Sequence, residues 1–405
     1  MRFGIRTLLI GLSVLLPGCG DDRVTAPQNV QYGHSPGHGG SGDPEAGSYS
    51  LLTLDARWSQ TTGINDAGTI VGRKAATDVW HAALWEDGVA TTLPTARTSF
   101  AGINNQGVAI GWESDDITSY GIHRRGFIYR NGEVVPISGD HLDEYDEFGE
   151  VFFTGSLDDD RLQPWDINDH GIVIARALFP MPDGRTRRYA LAWQEGSTIT
   201  YIRGGQPTAI NNLGQAVGFA WDGADPVVWE AGSYDKPRVV PGLRDHFPGL
   251  EIELKSINDS GQILGIACRR TDGRQLCGGA AFEVRGFVLD GGTVVELPLP
   301  SRTVELSTVG GLGQSGRVVG MVRKREGSST NQVPVLWTLG AAGGATVQEL
   351  PRGDHTHASA IAINGHGRIA GHANPWEALV WTPVSGDDNG GGDDGECTHP
   401  KGKCK

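Results

Sequence analysis

Nothing in this chain offers the run of roughly 20 apolar residues that a membrane-spanning helix requires. The apolar stretch near its start, Leu8–Leu16, is less than half that long. Basic residues are also scarce: 34 Lys and Arg face 48 Asp and Glu, for a net charge of −14. That balance argues against nucleic acid or an anionic lipid surface as partner, because both need a basic footprint. Cysteine is limited to five residues, none in the C-x-x-C spacing that suits zinc. The chain shows no nucleophile elbow, no H-E-x-x-H helix and no P-loop. Acids and histidines borne on loops can carry catalysis without such signatures, so these absences weaken an enzyme reading without removing it.

Glycine, by contrast, is abundant. Its 61 residues show no G-X-Y period, which signals many tight turns rather than a collagen-like chain. Many of them belong to a phrase that recurs seven times: Ile-Asn, then Asp or Asn, any residue, Gly, and a small β-rich run. It reads INDAGTIVG from Ile64, INNQGVAIG from Ile103, INDHGIVIA from Ile167, INNLGQAVG from Ile210 and INDSGQILG from Ile257. A worn copy, LGQSGRVVG, starts at Leu312, and INGHGRIAG starts at Ile363. Self-similarity at a period of about 48 residues means one supersecondary unit stacked many times.

Each copy has a four-strand outline. A first strand ends in Ile-Asn, and a tight turn leads to a second strand such as Thr69–Gly72. The third reads like His81–Trp85 or Glu377–Trp381, and a hairpin turn such as Asn131-Gly132 follows it. Fourth strands such as Thr91–Thr95 and Val347–Pro351 complete six copies, but the seventh runs from Trp381 into a polar linker. The missing strand stands at the other end, where Ser48–Leu54 precedes copy one. An all-β, seven-bladed β-propeller of four-stranded blades is therefore expected, closed by an N-terminal strand that completes the last blade, with Leu51–Leu54 beside Ala378–Trp381. Closure shields strand edges that would otherwise aggregate. A β-solenoid would need terminal caps and would not split one repeat between both ends.

In the phrase itself, Ile suits a buried pleated surface. Asn can hydrogen-bond backbone ahead of it in a turn, and Gly adopts positive φ without a Cβ clash. Asn65, Asn104, Asn168, Asn211, Asn258 and Asn364 are thus expected to be structural rather than a ring of ligands.

The ends read differently. Arg2 and Arg6 precede the short apolar stretch, as in a secretory signal. Leu16-Pro17-Gly18-Cys19 resembles the bacterial lipobox, which implies that residues 1–18 are removed and Cys19 is lipidated. Removal takes away two arginines and no acid, moving the net charge from −14 to −16. Several acyl chains give durable anchoring, and Gly20 in place of an Asp favours the outer membrane or cell surface of a bacterial envelope. Residues 19–47 form a flexible tether, 48–384 the propeller, 385–396 an acidic Gly-rich linker and 397–405 a Cys-bounded tail. Of the three connectivities open to the remaining cysteines, local pairing is simplest: Cys268 with Cys277, and Cys397 with Cys404.

The stretch His81-Ala82-Ala83-Leu84-Trp85-Glu86-Asp87-Gly88, with INDAGTIVGR upstream, resembles the HAF repeat of bacterial extracellular proteins. The resemblance covers nearly all of residues 49–384 and implies a scaffold that brings no catalytic residues with it.

In an up-and-down blade, first and third turns share one face of the ring, while second turns and blade connections share the other. Here the first and third turns are short. Length collects opposite them, at Glu113–Arg125, Gly139–Gln163, Ala177–Arg188, Ala267–Arg285 and Val322–Val333. Binding residues concentrate on such loops. The insert Asp140–Pro164 supplies Asp143, Glu144, Tyr145 and Asp146, with Trp165 just after it, as candidates for a carbohydrate or protein ligand. Asp158, Asp159 and Asp160 are the acids that would take Ca²⁺, the one cofactor considered. His355, His357 and His372 could meet as a zinc set across the last blade junction. The expected function is a lipid-anchored, non-catalytic binding or scaffold module; the alternative is a propeller hydrolase or lyase acting on envelope or extracellular polysaccharide.

Overall fold

The computed structural model describes residues 48–384 apart from 56–57, 77, 115–123, 139–141, 146–150, 156–161, 181–185, 198, 222–224, 270–276, 278–281, 303 and 341–342. Seven four-stranded antiparallel sheets make the blades of a β-propeller. Blade 1 is Ser59–Ile64, Ile70–Ala76, Val79–Glu86 and Val89–Thr92, in that order across the sheet. Blades 2 to 6 repeat the plan. Blade 7 joins Ala358–Ile363, Ile369–Ala373 and Glu377–Pro383 to the N-terminal strand Tyr49–Asp55, with Leu51 opposite Trp381 and Leu52 opposite Val380.

First strands are innermost. Each touches the first strands of both neighbouring blades in an unbroken circle, that of blade 1 meeting those of blades 2 and 7. Every first strand carries a bulge shortly before its motif Asn (Gly313 in blade 6), where the register slips: between Thr61 and Gly63 in blade 1, and between Pro164 and Asp166 in blade 3. The bulge tightens twist and re-aims a side chain. At Thr62 the re-aimed hydroxyl donates to Phe100 O of blade 2 (3.1 Å), and Thr208 does the same to Leu254 O of blade 5 (2.8 Å). It also explains the glycine that ends the repeated phrase. A Cβ on Gly72 would lie 1.9 Å from Gln60 O, and one on Gly218 would lie 2.0 Å from Gln206 O.

Between successive blades lies a layer of aliphatic and aromatic side chains, seven layers in all, as in the set Ile64, Ile70, Trp85, Ala370 and Val380 that joins blade 7 to blade 1. Full burial of one such large side chain stabilises by roughly 1.5–3 kcal/mol. Third-strand tryptophans anchor most of the layers, and except at Trp85 their indole N–H reaches the preceding blade: Trp193 donates to Ser138 O (2.9 Å), Trp229 to Arg203 O (2.9 Å) and Trp337 to Pro298 O (2.7 Å).

Two expected loops are strand instead. In blade 6, Arg317–Glu326 and Ser329–Leu339 run through the segment read as an irregular turn, leaving only Gly327-Ser328 between them. Val322 pairs with Val333, and Lys324 is held by Glu349 (2.8 Å). In blade 3, Val173–Pro180 and Thr186–Trp193 extend likewise into Ala177–Arg188. The insert after blade 2 contains its own hairpin, Leu142–Tyr145 against Val151–Gly155, outside the blade sheets.

Candidate functional site

On the short-turn face the six motif asparagines form a belt around the axis. All are buried, from 1 % exposure at Asn258 to 5 % at Asn364. Within its own turn, Asn168 Oδ1 accepts from the backbone N–H of His170 (3.1 Å) and Ile172 (2.9 Å). Its Nδ2 donates to Asn211 O of the next blade (3.0 Å). The same inter-blade bond runs from Asn65 to Asn104 O, Asn104 to Asn168 O, Asn211 to Asn258 O, Asn258 to Gly313 O and Asn364 to Asn65 O. The one gap falls where the worn copy has Gly313. A second ring uses the following residue, whose side-chain oxygen accepts the backbone N–H of its counterpart one blade earlier. Asp66 N–H thus donates to Asn105, Asn105 to Asp169, Asp169 to Asn212, and Asn212 to Asp259 (2.7–2.9 Å). Acids and amides alternate here, so Asn212 Nδ2 sits between the Asp169 and Asp259 carboxylates at 2.9 Å from each. These residues close around an axial pocket of about 200 Å³.

Asp166 stands in that pocket's wall. Its equivalents in the other blades are Gly63, Gly102, Ala209, Ser256, Gly311 and Ala362, so it alone places a carboxyl at this level of the axis. By area it is only half-buried, because it lines the axial pocket, yet protein surrounds it closely. That desolvation pushes its carboxyl up to about 6, against the opposing pull of the backbone N–H groups of Ile210 and Ile167 that it accepts (both 2.9 Å).

The long-loop end of the ring is built from different residues. Of the eleven tryptophans, five are the buried third-strand anchors Trp85, Trp193, Trp229, Trp337 and Trp381. Five of the other six (Trp58, Trp80, Trp112, Trp221 and Trp376) lie toward the long-loop end of their strands or in its loops, and Trp165 sits mid-strand in blade 3. Three half-buried arginines from consecutive blades lie on three of these rings. Arg73 covers Trp80 (4.4 Å from guanidinium carbon to ring centre), Arg124 covers Trp112 (3.9 Å) and Arg176 covers Trp165 (5.6 Å). Arg73 Nε donates to Gln60 Oε1 (2.7 Å), and an Arg176 amino group donates to Gln163 Oε1 (2.7 Å); both amides are neutral. Nε of Arg124 and Nε of Arg176 are buried with no hydrogen-bond partner. Desolvation lowers all three guanidinium pKa values, and at Arg124 the charges of Arg176 and Arg73 lower it further. Beside them, His372 is depressed to about 4 by burial and then by Arg73. An open pocket of about 340 Å³ adjoins this arc, lined by Arg188, Tyr201, Arg203 and Trp221 among others.

Several expected site residues fall elsewhere. The three histidines do not assemble as a metal set: His355 faces Glu377 (3.7 Å), His357 Nδ1 accepts the Gln332 backbone N–H (3.1 Å), and His372 adjoins cationic Arg73. Among the described residues no group of three His, Cys, Asp or Glu side chains could hold a metal ion. Asp143, Glu144 and Tyr145 lie in the insert's hairpin, whereas Asp146, Asp158, Asp159 and Asp160 lie outside the described residues, as do Cys19, Cys397 and Cys404. Trp165 occupies the bulge of blade 3, under Arg176. Cys268 and Cys277 are joined as a disulfide, Cα to Cα 5.7 Å. One string of the form G-x-S-x-G does exist, Gly33–Gly37, in the Gly- and Pro-rich segment outside the described residues; the sequence before it, APQNVQY, is not the apolar run that precedes a nucleophile elbow.

The arginine cluster escaped the sequence reading. Part of its signal is visible when the copies are stacked on the phrase: the position after the phrase-ending Gly or Ala carries Arg73, Trp112, Arg176, Phe219, Ile266, Met321 and His372, whereas Arg124 opens the third strand of blade 2.

No family model matches the chain, and no curated protein matches it. Among solved structures it is similar to a gluconolactonase from Xanthomonas campestris, at 11% identity over 83% of this chain and 90% of that one, with a TM-score of 0.34. It is also similar to the β-propeller domain of the Trilobed protease from Pyrococcus furiosus, at 10% identity over 81% and 94%, TM-score 0.37. A third likeness is the Cps50 (Swd1) β-propeller domain of Myceliophteria thermophila, at 10% identity over 84% and 94%, TM-score 0.40. Likenesses this loose carry no argument about activity.

Proposed function

We propose that this chain is a lipid-anchored propeller of a bacterial envelope that holds a ligand on its long-loop face and performs no reaction on it. The observation that carries this is the separation of the two ends of the ring. Motif side chains at the short-turn end are consumed in tying blade to blade, whereas aromatic and cationic groups gather at the other. A rigid frame presenting unlike loops on one side is the usual arrangement of a binding surface. The lipobox-like Leu16–Cys19 and the HAF-like repeats support placement outside the cytoplasm. A glycan and peptide array probed with the chain tests the reading, together with a variant in which residues 140–161 are replaced by a short Gly-Ser turn; the last three residues of the expected insert, Leu162, Gln163 and Pro164, open the first strand of blade 3 and are kept. The insert's hairpin pairs only with itself, and surface loop length costs little, so the variant keeps its melting temperature and loses array binding. Unchanged array binding moves the site elsewhere.

A hydrolase or lyase reading retains one specific observation, the Asp166 carboxyl near 6, in the range useful to a general acid. Both its oxygens are already engaged by backbone N–H groups, which favours a structural role. Release of new reducing or unsaturated sugar ends would reverse that preference.

A further inference from the structure

We propose that Arg73, Arg124 and Arg176, laid on tryptophan rings toward the long-loop side of the ring, form a site for an acidic polysaccharide whose sugar rings carry carboxylates. The inference rests on the binding reading above and gives its ligand a chemical class.

Like charges are seldom gathered without a reason. Three guanidinium groups from blades 1, 2 and 3 share one arc of the ring, and Arg124 feels the charge of both others. The chain has acids to spare, 48 against 34 basic residues, yet the described partners of the trio are neutral amides and indole faces. Stacking holds each planar fork in place, while Nε of Arg124 and of Arg176 has no acceptor among the described residues. A guanidinium presents its donors in a fork that fits a carboxylate in two parallel bonds. Such pre-positioned, partly desolvated cations lose little freedom when an anion arrives. The arc is thus built to receive carboxylate groups.

The aromatic residues indicate what carries those groups. Trp58, Trp221 and Trp376 are 54%, 45% and 37% exposed on the same end of the ring, where rings can stack the apolar face of a sugar. The basic tract continues from Arg176 to Arg188, whose charge it feels, and on into the open pocket with Arg203 and Trp221. Cations and aromatic faces therefore recur from blade 1 to blade 4, as an anionic polymer would require. Nucleic acid fits less well. Its charge density draws on a long basic surface, and the remainder of this chain is acidic.

The test titrates the chain with alginate, polygalacturonate and hyaluronan oligosaccharides, with their carboxyl-reduced neutral counterparts, and with a single-stranded oligodeoxynucleotide. At least one acidic oligosaccharide is expected to bind, its neutral counterpart at least tenfold more weakly. Arg124→Gln and Arg176→Gln each weaken binding about tenfold, and Arg124→Lys restores little because it lacks the fork. Should these half-buried changes impair folding, Arg188→Gln and Arg203→Gln at exposed positions test the same tract and lower affinity severalfold. Equal affinity for neutral counterparts, unchanged affinity in all the arginine variants, tighter binding of the oligodeoxynucleotide, or no binding to any acidic oligosaccharide overturns the proposal. The two readings fail separately. Array binding lost on insert replacement but kept in the arginine variants leaves a binding module without this ligand class. Cleavage of an acidic oligosaccharide with arginine-dependent affinity removes the non-catalytic reading and keeps the ligand.

Discussion

Asn168 performs two tasks from one buried side chain: it closes its own turn through Oδ1 and ties blade 3 to blade 4 through Nδ2. Asn168→Ala leaves the backbone donors of His170 and Ile172 without partners in a buried setting and takes the inter-blade donor from the Asn211 carbonyl, which keeps only the Gly214 N–H, for a loss of about 3 kcal/mol in urea unfolding. The complementary change lies at the gap in the belt. A Cβ on Gly313 would meet nothing closer than 3.4 Å and would point within 3.9 Å of Asn364 O. Gly313→Asn should therefore supply the missing bond and raise stability by about 1 kcal/mol; a lower melting temperature would contradict this account of the belt. Asp166 brings pH dependence. Its folded pKa, about 6, exceeds the ordinary 3.8, so its contribution to stability is complete below pH 3.8 and is lost as the pH rises through 6. Relative to the parent, Asp166→Asn should gain on the order of 2–3 kcal/mol between pH 4 and pH 8. His372, depressed from 6.5 to about 4, acts oppositely: its contribution is present above pH 6.5 and is lost as the pH falls toward 4. His372→Gln should flatten that limb in the same unfolding series.

At the level of elements, the strand Tyr49–Asp55 is covered on one side by Glu377–Pro383 and buries Tyr49 and Leu51. Removing residues 48–56 exposes the edge of blade 7 and the layer it shares with blade 1. The melting temperature is expected to fall by on the order of 10 °C; a truncated chain that melts like the parent would sink the idea that this strand secures the ring. The blade plan was legible in the sequence because Ile-Asn, the turn glycine and the third-strand Trp mark a fixed repeat. The blade 6 hairpin was not. Arg323-Lys324-Arg325-Glu326 is polar at every position, so no alternation distinguishes a strand projecting beyond the blades from a loop. The bulges were hidden as well, since a one-residue slip changes no composition, although the glycine opposite six of the seven (Ala175 in blade 3) was visible.

Over the whole molecule, the parity of the turns foretold that the two faces would differ, and the short-turn face is indeed uniform. The contents of the other face were legible only in part. Trp165 was singled out by its place beside the acidic insert, whereas Arg73, Arg124 and Arg176 come from separate blades and only the ring brings them together. Side chains scattered in sequence gain meaning from the fold, which is why the architecture could be read in advance and the cation arc could not. The division between a structural face and a binding face is tested most directly by measuring melting temperature and affinity for an acidic oligosaccharide on the same two proteins, Asn168→Ala and the double variant Arg124→Gln with Arg176→Gln. The account predicts that the first melts lower but binds like the parent when folded, and that the second loses affinity at least tenfold with its melting temperature unchanged or raised. A folded Asn168→Ala protein that no longer binds, or a double variant that binds like the parent, would contradict it.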